Sequence, residues 1–207
     1  MGQYYRGAIV NRISKRTKRI KVKMAFDCYT HHYGAKLMEH SYVGNYYMKQ
    51  YEHALATVFY NSPLVWVGDY ADEKLDTNVY DSAWNFIEKQ IKRGLDKNLK
   101  TLDELPNYKY AINFTKKMFV RIDITETENG DYPIHPLSLL CSDGNGRGGG
   151  DYEGSNMELI GSWAYDRIGV SNELPKSIKK ELQVTFKETY YGGDSDVNDY
   201  KIVKRTE

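Results

Sequence analysis

The chain has only two cysteines among its 207 residues, Cys28 and Cys141, far apart in sequence. Such a pair makes neither a disulfide framework nor a paired metal-ligand motif, so both are expected as reduced thiols of a cytoplasmic protein. Prolines number five, and no Pro/Gly/Ser-rich stretch separates two halves, which argues for one domain over residues 1–190. No apolar run is long enough for a membrane span, and nothing has the pattern of a signal peptide. Charge of either sign in excess is missing too: 29 Lys and Arg face 28 Asp and Glu, for a net +1. Whole-molecule attraction to nucleic acid or an anionic membrane is thereby excluded, and only local patches remain for such partners. The signatures H-E-x-x-H, paired C-x-x-C, G-x-S-x-G and the Walker A loop are all absent, so the familiar hydrolase and nucleotidase chemistries find no support.

What the chain does have is aromatic surface, above all 19 tyrosines, each an apolar body with a polar tip that suits sheets and binding faces. "QYYRGAIV" (3–10) and "RIKVKMAF" (19–26) read as a strand pair. In the second, Ile20, Val22, Met24 and Phe26 alternate with Arg19, Lys21 and Lys23. The basic turn and solvent face of this hairpin admit two readings. One is a finger for phosphate backbones; the simpler is an edge guarded by lysines against sheet pairing. Tyr47, Tyr51, Ala54, Leu55 and Val58 recur at helical spacing behind a capping Asn45. "LVWVGDY" (64–70) is a continuous apolar run, the pattern of a strand buried on both faces. A second helix begins at Asn78, with Tyr80, Ala83, Trp84, Ile87 and Ile91 as its apolar stripe and Glu88 paired to Lys92. Trp84 on that stripe predicts a truncation cost of about 3–5 kcal/mol, the range of core aromatics. Strands in "YKYAINF", "KMFVRIDI", "ELIGSWAYDRIGV" and "ELQVTFKE" follow, and 191–207 reads as a mobile tail. Strands, two main helices, then strands again predict an α+β fold with a largely antiparallel sheet.

The segment "CSDGNGRGGGDYEG" (141–154) packs five glycines into the seven positions from Gly144 to Gly150. Gly144, Gly146 and Gly149 fit G-x-G-x-x-G, but no helix start follows, so a dinucleotide fingerprint is a poor match. The backbone N–H groups of such a loop can form an anion-binding nest. The candidate ligand contacts are Asp143, Asn145, Arg147, Gly148, Gly149, Asp151 and Tyr152. Arg147 would be the fork-shaped donor, and the alternative is a structural Ω-loop with Arg147 tied between Asp143 and Asp151. Further candidates are His135 before Pro136, a base, a ligand or a structural histidine, and Asp69 and Asp72 after the buried strand, ribose contacts or braces. Lys116 in "NFTKKMF" is a phosphate contact or a solvated turn lysine. Trp163 is expected in the core, and Asp166 with Arg167 as a surface pair.

"MGQYYRGAIV", "KLMEHSYVGN", "VWVGDYAD", "NFTKKMFV", "IHPLSLLCSDGNGRGGGDYEG" and "GSWAYDRI" together resemble a family of uncharacterised proteins encoded by bacteria and their phages. The resemblance covers residues 1 to about 170 and is most specific at the glycine loop and the His-Pro-Leu before it; the basic hairpin is outside it. It implies a common fold and a shared site, with no reaction attached. Three classes of function follow. The first is a binder of a phosphorylated or nucleotide-like small molecule through the glycine loop, in a phage setting one that sequesters a host defence signal. The second is a protein that binds and inhibits a host factor through exposed tyrosines and the basic hairpin. The third is an enzyme on nucleotide or ADP-ribose-like substrates with His135, Asp151 or Asp69 as acid or base. No cofactor and no oligomeric state is read from the sequence.

Overall fold

The computed structural model of the chain describes residues 3–11, 19–93, 104–124, 133–144, 150–188 and 201–204. It is an α+β protein built on one mostly antiparallel sheet. The strands are β1 (Tyr5–Val10), β2 (Val22–Met24), β3 (Ser62–Gly68), β4 (Tyr110–Asn113), β5 (Met118–Arg121), β6 (Ser142–Asp143), β7 (Arg167–Ser171), β8 (Lys180–Gln183) and β9 (Lys201–Lys204). Their order is β2-β1-β3-β7-β4-β5-β8-β9, with β6 pairing β3 off this path. Among the described strand pairs only β3–β6 and β5–β8 are parallel. The helices are α1 (Leu37–His40), α2 (Tyr46–Ala56), α3 (Val79–Lys92) and α4 (Pro136–Leu140). Among the described residues no helix is long and apolar enough to cross a membrane.

The unbroken apolar run of β3 has a geometric cause. Successive residues of a strand point to opposite faces, and here both faces are covered. Leu64 and Trp66, with Tyr5 and Ile9 of β1, belong to the core that α2 and α4 close. Val65 and Val67, with Ala8 and Val10, belong to a second core under α3. Asn45 caps α2 by accepting the Met48 N–H (2.8 Å), and Asn78 caps α3 by accepting the Asp81 N–H (3.0 Å), as the sequence predicts. Tyr47 and Tyr51 of α2 dock on β1 through polar tips: Gly7 N–H donates to the Tyr47 hydroxyl, and the Tyr51 hydroxyl donates to Gly7 O (2.6 Å). Buried phenols are thus satisfied while their rings fill the core.

Several expectations are corrected. Val58 lies beyond the end of α2 and is 84% exposed, because the helix stops at Ala56. On α3 the buried stripe is Val79, Ala83 and Ile87. Tyr80 and Trp84 sit half-buried at its flank, and Ile91 is exposed. Asp166 accepts the Asn113 side-chain amide (2.8 Å), whereas Arg167 Nε donates to Asn61 O, so the two neighbours serve separate partners. "ELIGSW" forms turns and a 3-10 segment, and its strand is confined to β7. In the C-terminal segment, Lys201–Lys204 pair with β8. Glu88 and Lys92 pair as expected (3.7 Å), and Trp163 is core. Arg19, Lys21 and Lys23 are exposed along the β2 edge of the sheet, the arrangement of a lysine-guarded edge. The basic turn at 12–18 lies outside the described residues.

Candidate functional site

The glycine loop leaves the sheet at β6 and returns at Gly150. β6 is anchored because Trp66 pairs with Ser142, Val67 with Asp143, and Trp66 N–H donates to Cys141 O (2.8 Å). Between the two ends of the loop stands Tyr5. Its hydroxyl donates to Gln3 Oε1 (2.7 Å) and takes the backbone N–H of Gly150. A Cβ on Gly144 would run into the Tyr5 hydroxyl, and one on Gly150 would come within 2.5 Å of Tyr5 Cε2. Gly150 also has φ +55°, a conformation costly for side-chain-bearing residues. The outer glycines are therefore set by close packing on Tyr5. Asn145, Arg147, Gly148 and Gly149, with Gly146, lie outside the described residues.

The neck is rich in carboxylates. Burial pushes the Tyr5 phenol far above its ordinary range, and the charges of Asp151, Asp143 and Asp69 add to that push. Asp69 braces the chain: its carboxylate accepts the Tyr4 N–H (3.1 Å), while its own N–H donates to Tyr4 O. Asp151 accepts the Met38 N–H (3.1 Å) in the first turn of α1, and burial holds its carboxyl above the usual carboxylate range. Tyr152 is a core residue whose hydroxyl donates to Ser155 O and Lys187 O, and burial pushes its phenol up to about 12. Lys74 Nζ lies 3.7 Å from Asp143 Oδ2, an ion-pair distance beyond hydrogen-bond length.

Asp143 Oδ2 and the Tyr165 hydroxyl are buried, and neither makes a hydrogen bond of full geometry. The two groups are neighbours: burial, then the Asp143 charge and a loose hydrogen bond from the phenol to that carboxylate, drives the Tyr165 phenol far up. Tyr165 is held at φ +64°, an outlier for an aromatic residue. Its N–H donates to Leu64 O (2.7 Å), and the next residue's carbonyl, Asp166 O, accepts the Leu64 N–H (3.1 Å). Two bonds to β3 thus impose a conformation that costs on the order of 1–3 kcal/mol, and such strain gathers at functional sites. Neither Tyr165 nor Lys74 carries a local signal in the sequence. They reach Asp143 from the turn before β7 and from the segment after β3, and only the fold brings them together.

The remaining candidates lie elsewhere. His135 is fully buried and structural in its bonding: Nδ1 accepts the Leu137 N–H (3.2 Å) as the N-cap of α4. That bond fixes the proton on Nε2, which donates to Glu52 Oε1 (3.2 Å). With both nitrogens engaged, His135 joins α2 to the segment that leads into the loop. Lys116 is exposed in the β4–β5 turn, where its N–H donates to Asn113 Oδ1 (2.9 Å). That turn sits at the Ser62 end of β3, while β6 pairs with the opposite end. Asp72 is an exposed loop residue. Among the described residues, no group of three His, Cys, Asp or Glu is arranged to hold a metal ion.

Comparison with known proteins finds no counterpart: no protein-family profile matches the chain, and no curated protein or solved structure does so.

Proposed function

We propose that the protein binds a nucleotide-like small molecule at the neck of the glycine loop. The observation that carries this reading is the buried polar pair of Asp143 Oδ2 and the Tyr165 hydroxyl, in contact with each other but in no hydrogen bond of full geometry, with the Lys74 ammonium 3.7 Å from the first. Native proteins seldom leave buried polar atoms unsatisfied, and each costs about 1–3 kcal/mol. A sugar hydroxyl satisfies both, donating to the carboxylate and accepting from the phenol. The phosphate then falls to Lys74, Arg147 and the loop amides, a division that suits a neck already rich in carboxylates. Asp69 and Asp151, each engaged with a backbone N–H, build the walls. In a phage setting such a binder sequesters a host signal without turning it over.

The test is native mass spectrometry of the purified chain, followed by thermal shifts with any nucleotide that co-purifies. Asp143→Asn and Arg147→Ala are expected to abolish the ligand-induced rise in Tm while moving the Tm of the empty protein little. A marked fall in Tm for empty Arg147→Ala, with no co-purifying molecule, would leave the loop as architecture.

A second reading has its own observation. Arg6, on the α3 side of β1, lies with its guanidinium carbon 3.8 Å from the Tyr80 ring centroid and 4.5 Å from that of Trp84. Exposed Tyr4 and Tyr29 stand in its electrostatic neighbourhood. Arginine amid tyrosine and tryptophan is the composition of interface hot spots, which favours a protein partner. A polypeptide that survives gel filtration with the wild type and is lost with Arg6→Ala would select this reading.

A further inference from the structure

On the face of the molecule formed by α2 and β2 lies a cavity of about 280 Å³. Its apolar wall is Met24, Phe26, Ala54, Val58, Phe59 and Leu105. Gln50 enters this lining from α2, on the helix stripe that carries Tyr46, His53, Ala54 and Thr57 and lies apart from the core-facing Tyr47, Tyr51 and Leu55. Gln50 is only 5% exposed, and both polar atoms of its side chain, Oε1 and Nε2, are buried without a hydrogen-bond partner. The Tyr46 phenol one turn back is in loose hydrogen-bond contact with the Gln50 amide, which opposes the upward push of burial on the phenol but falls short of full hydrogen-bond geometry and leaves the carbonyl oxygen unengaged. His53 in the same lining is held by a contact of Nδ1 to the Tyr108 hydroxyl (3.1 Å).

We infer that this cavity is a second binding site, for a small, uncharged, planar molecule carrying an N–H beside a C=O, as in a lactam or cyclic amide. A primary amide presents one acceptor and a donor side by side, and the edge that satisfies both at once is a donor beside an acceptor. The rest of the lining sets the other properties. Aromatic Phe26 and Phe59 and the aliphatic wall reward a flat apolar body. Among the described lining residues none is Lys, Arg, Asp or Glu, so an ionised ligand would lose its hydration without a counter-charge from them. The volume is close to the lower bound of small-molecule pockets, about 300 Å³, which limits the ligand to one or two rings. A polar group placed in an apolar pocket fixes orientation and specificity, and Gln50 is so placed. The site is separate from the loop neck: its residues come from α2, β2, the turns that follow them and the chain before β4, with none of Tyr5, Asp143 or Tyr165 among them.

The probe is 2-quinolone, a neutral two-ring lactam, with naphthalene as its hydrocarbon counterpart, each titrated into the full-length protein to its solubility limit. Amide chemical shifts report the location. Saturable shifts confined to Gln50, Ala54, Thr57 and their neighbours are expected with 2-quinolone, and binding of naphthalene at least tenfold weaker. Gln50→Leu, which keeps the bulk and removes the amide, is expected to weaken 2-quinolone at least tenfold and to strengthen naphthalene. Gln50→Glu, charged at neutral pH, is expected to bind neither. Absence of saturable shifts with wild-type protein, or equal 2-quinolone affinity in wild type and Gln50→Leu, would overturn the proposal: the first would mark the cavity as filled by water alone, the second would remove Gln50 from recognition. If Gln50→Leu fails to fold, the wild-type preference for lactam over hydrocarbon decides by itself.

Discussion

His40 shows how a single side chain links the interior to pH. Its Nδ1 donates to Gly34 O (3.1 Å), its ring packs edge-on against Tyr47 at 4.9 Å, and Nε2 is buried without a partner. Burial, opposed by the Gly34 bond and the Glu39 charge, lowers its pKa from 6.5 to about 4. The unfolded chain therefore takes up this proton at higher pH than the folded one. The stabilisation is complete above pH 6.5 and is lost as pH falls toward 4, with about 1.4 kcal/mol for each pH unit and a total of ~3 kcal/mol. His40→Phe should flatten this part of the urea-denaturation profile between those pH values. A wild-type slope that persists in the variant would assign it to other groups. Asp151 acts with opposite sign, since a carboxyl raised by burial is better tolerated once protonated, so the two groups are separable by the direction of their contribution. Local sequence shows a histidine within "KLMEHS" but not that its ring is enclosed. The enclosing partners Gly34 and Tyr47 belong to the chain before α1 and to α2.

At the scale of elements, α3 shows what periodicity conveys and where it stops. Helical spacing marks Ala83 and Ile87 correctly, and the cap at Asn78 is legible because an asparagine side chain there meets the residue three on, accepting the Asp81 N–H and donating to the Asp81 carboxylate. Trp84 follows Ala83 by one residue, about 100° around the helix, which carries it off the buried stripe of Val79, Ala83 and Ile87. It covers Arg6 instead. Partial burial with a cation–π contact gives an expected cost for Trp84→Ala of about 2 kcal/mol. Trp66→Ala, at a fully buried tryptophan, should cost about 3–5 kcal/mol in the same denaturation series. Equal losses would show that Trp84 is more enclosed than its flank position allows. The long alternating or continuous strands were readable for the same reason as the stripe: each has a repeated pattern of faces. α1, α4 and β6 have four, five and two residues, too few for any period to show. The loop itself was conspicuous from its glycines, while its partners Tyr5, Lys74 and Tyr165 were hidden because their meeting is a property of sheet order.

For the whole molecule, the two sheet edges are treated differently. β2 exposes Arg19, Lys21 and Lys23 around its edge, whereas β8 is covered by β9, drawn from a polar C-terminal segment whose composition gives little sign of a strand. Without β9 the edge at Lys180–Gln183 would present unpaired backbone groups next to buried Leu182. Ending the chain at residue 200 should raise amide exchange through β8 and lower the concentration at which the protein associates, measured by light scattering. Unchanged exchange would mean that β9 contributes nothing to that edge. A different consequence follows from β3, which pairs with β1, β6 and β7. Its partners come from opposite ends of the chain: Ser62 meets Ile168 only after about a hundred intervening residues have been made. On the ribosome, the strand that divides the two cores emerges early and waits with β1 alone beside it, its far edge bare until the last third of the chain arrives. A sheet whose central strand is completed so late closes through distant contacts, and that places its folding among the slow topologies, milliseconds to seconds. During that interval "LVWV" is an apolar run with one edge unpaired, open to association with other chains.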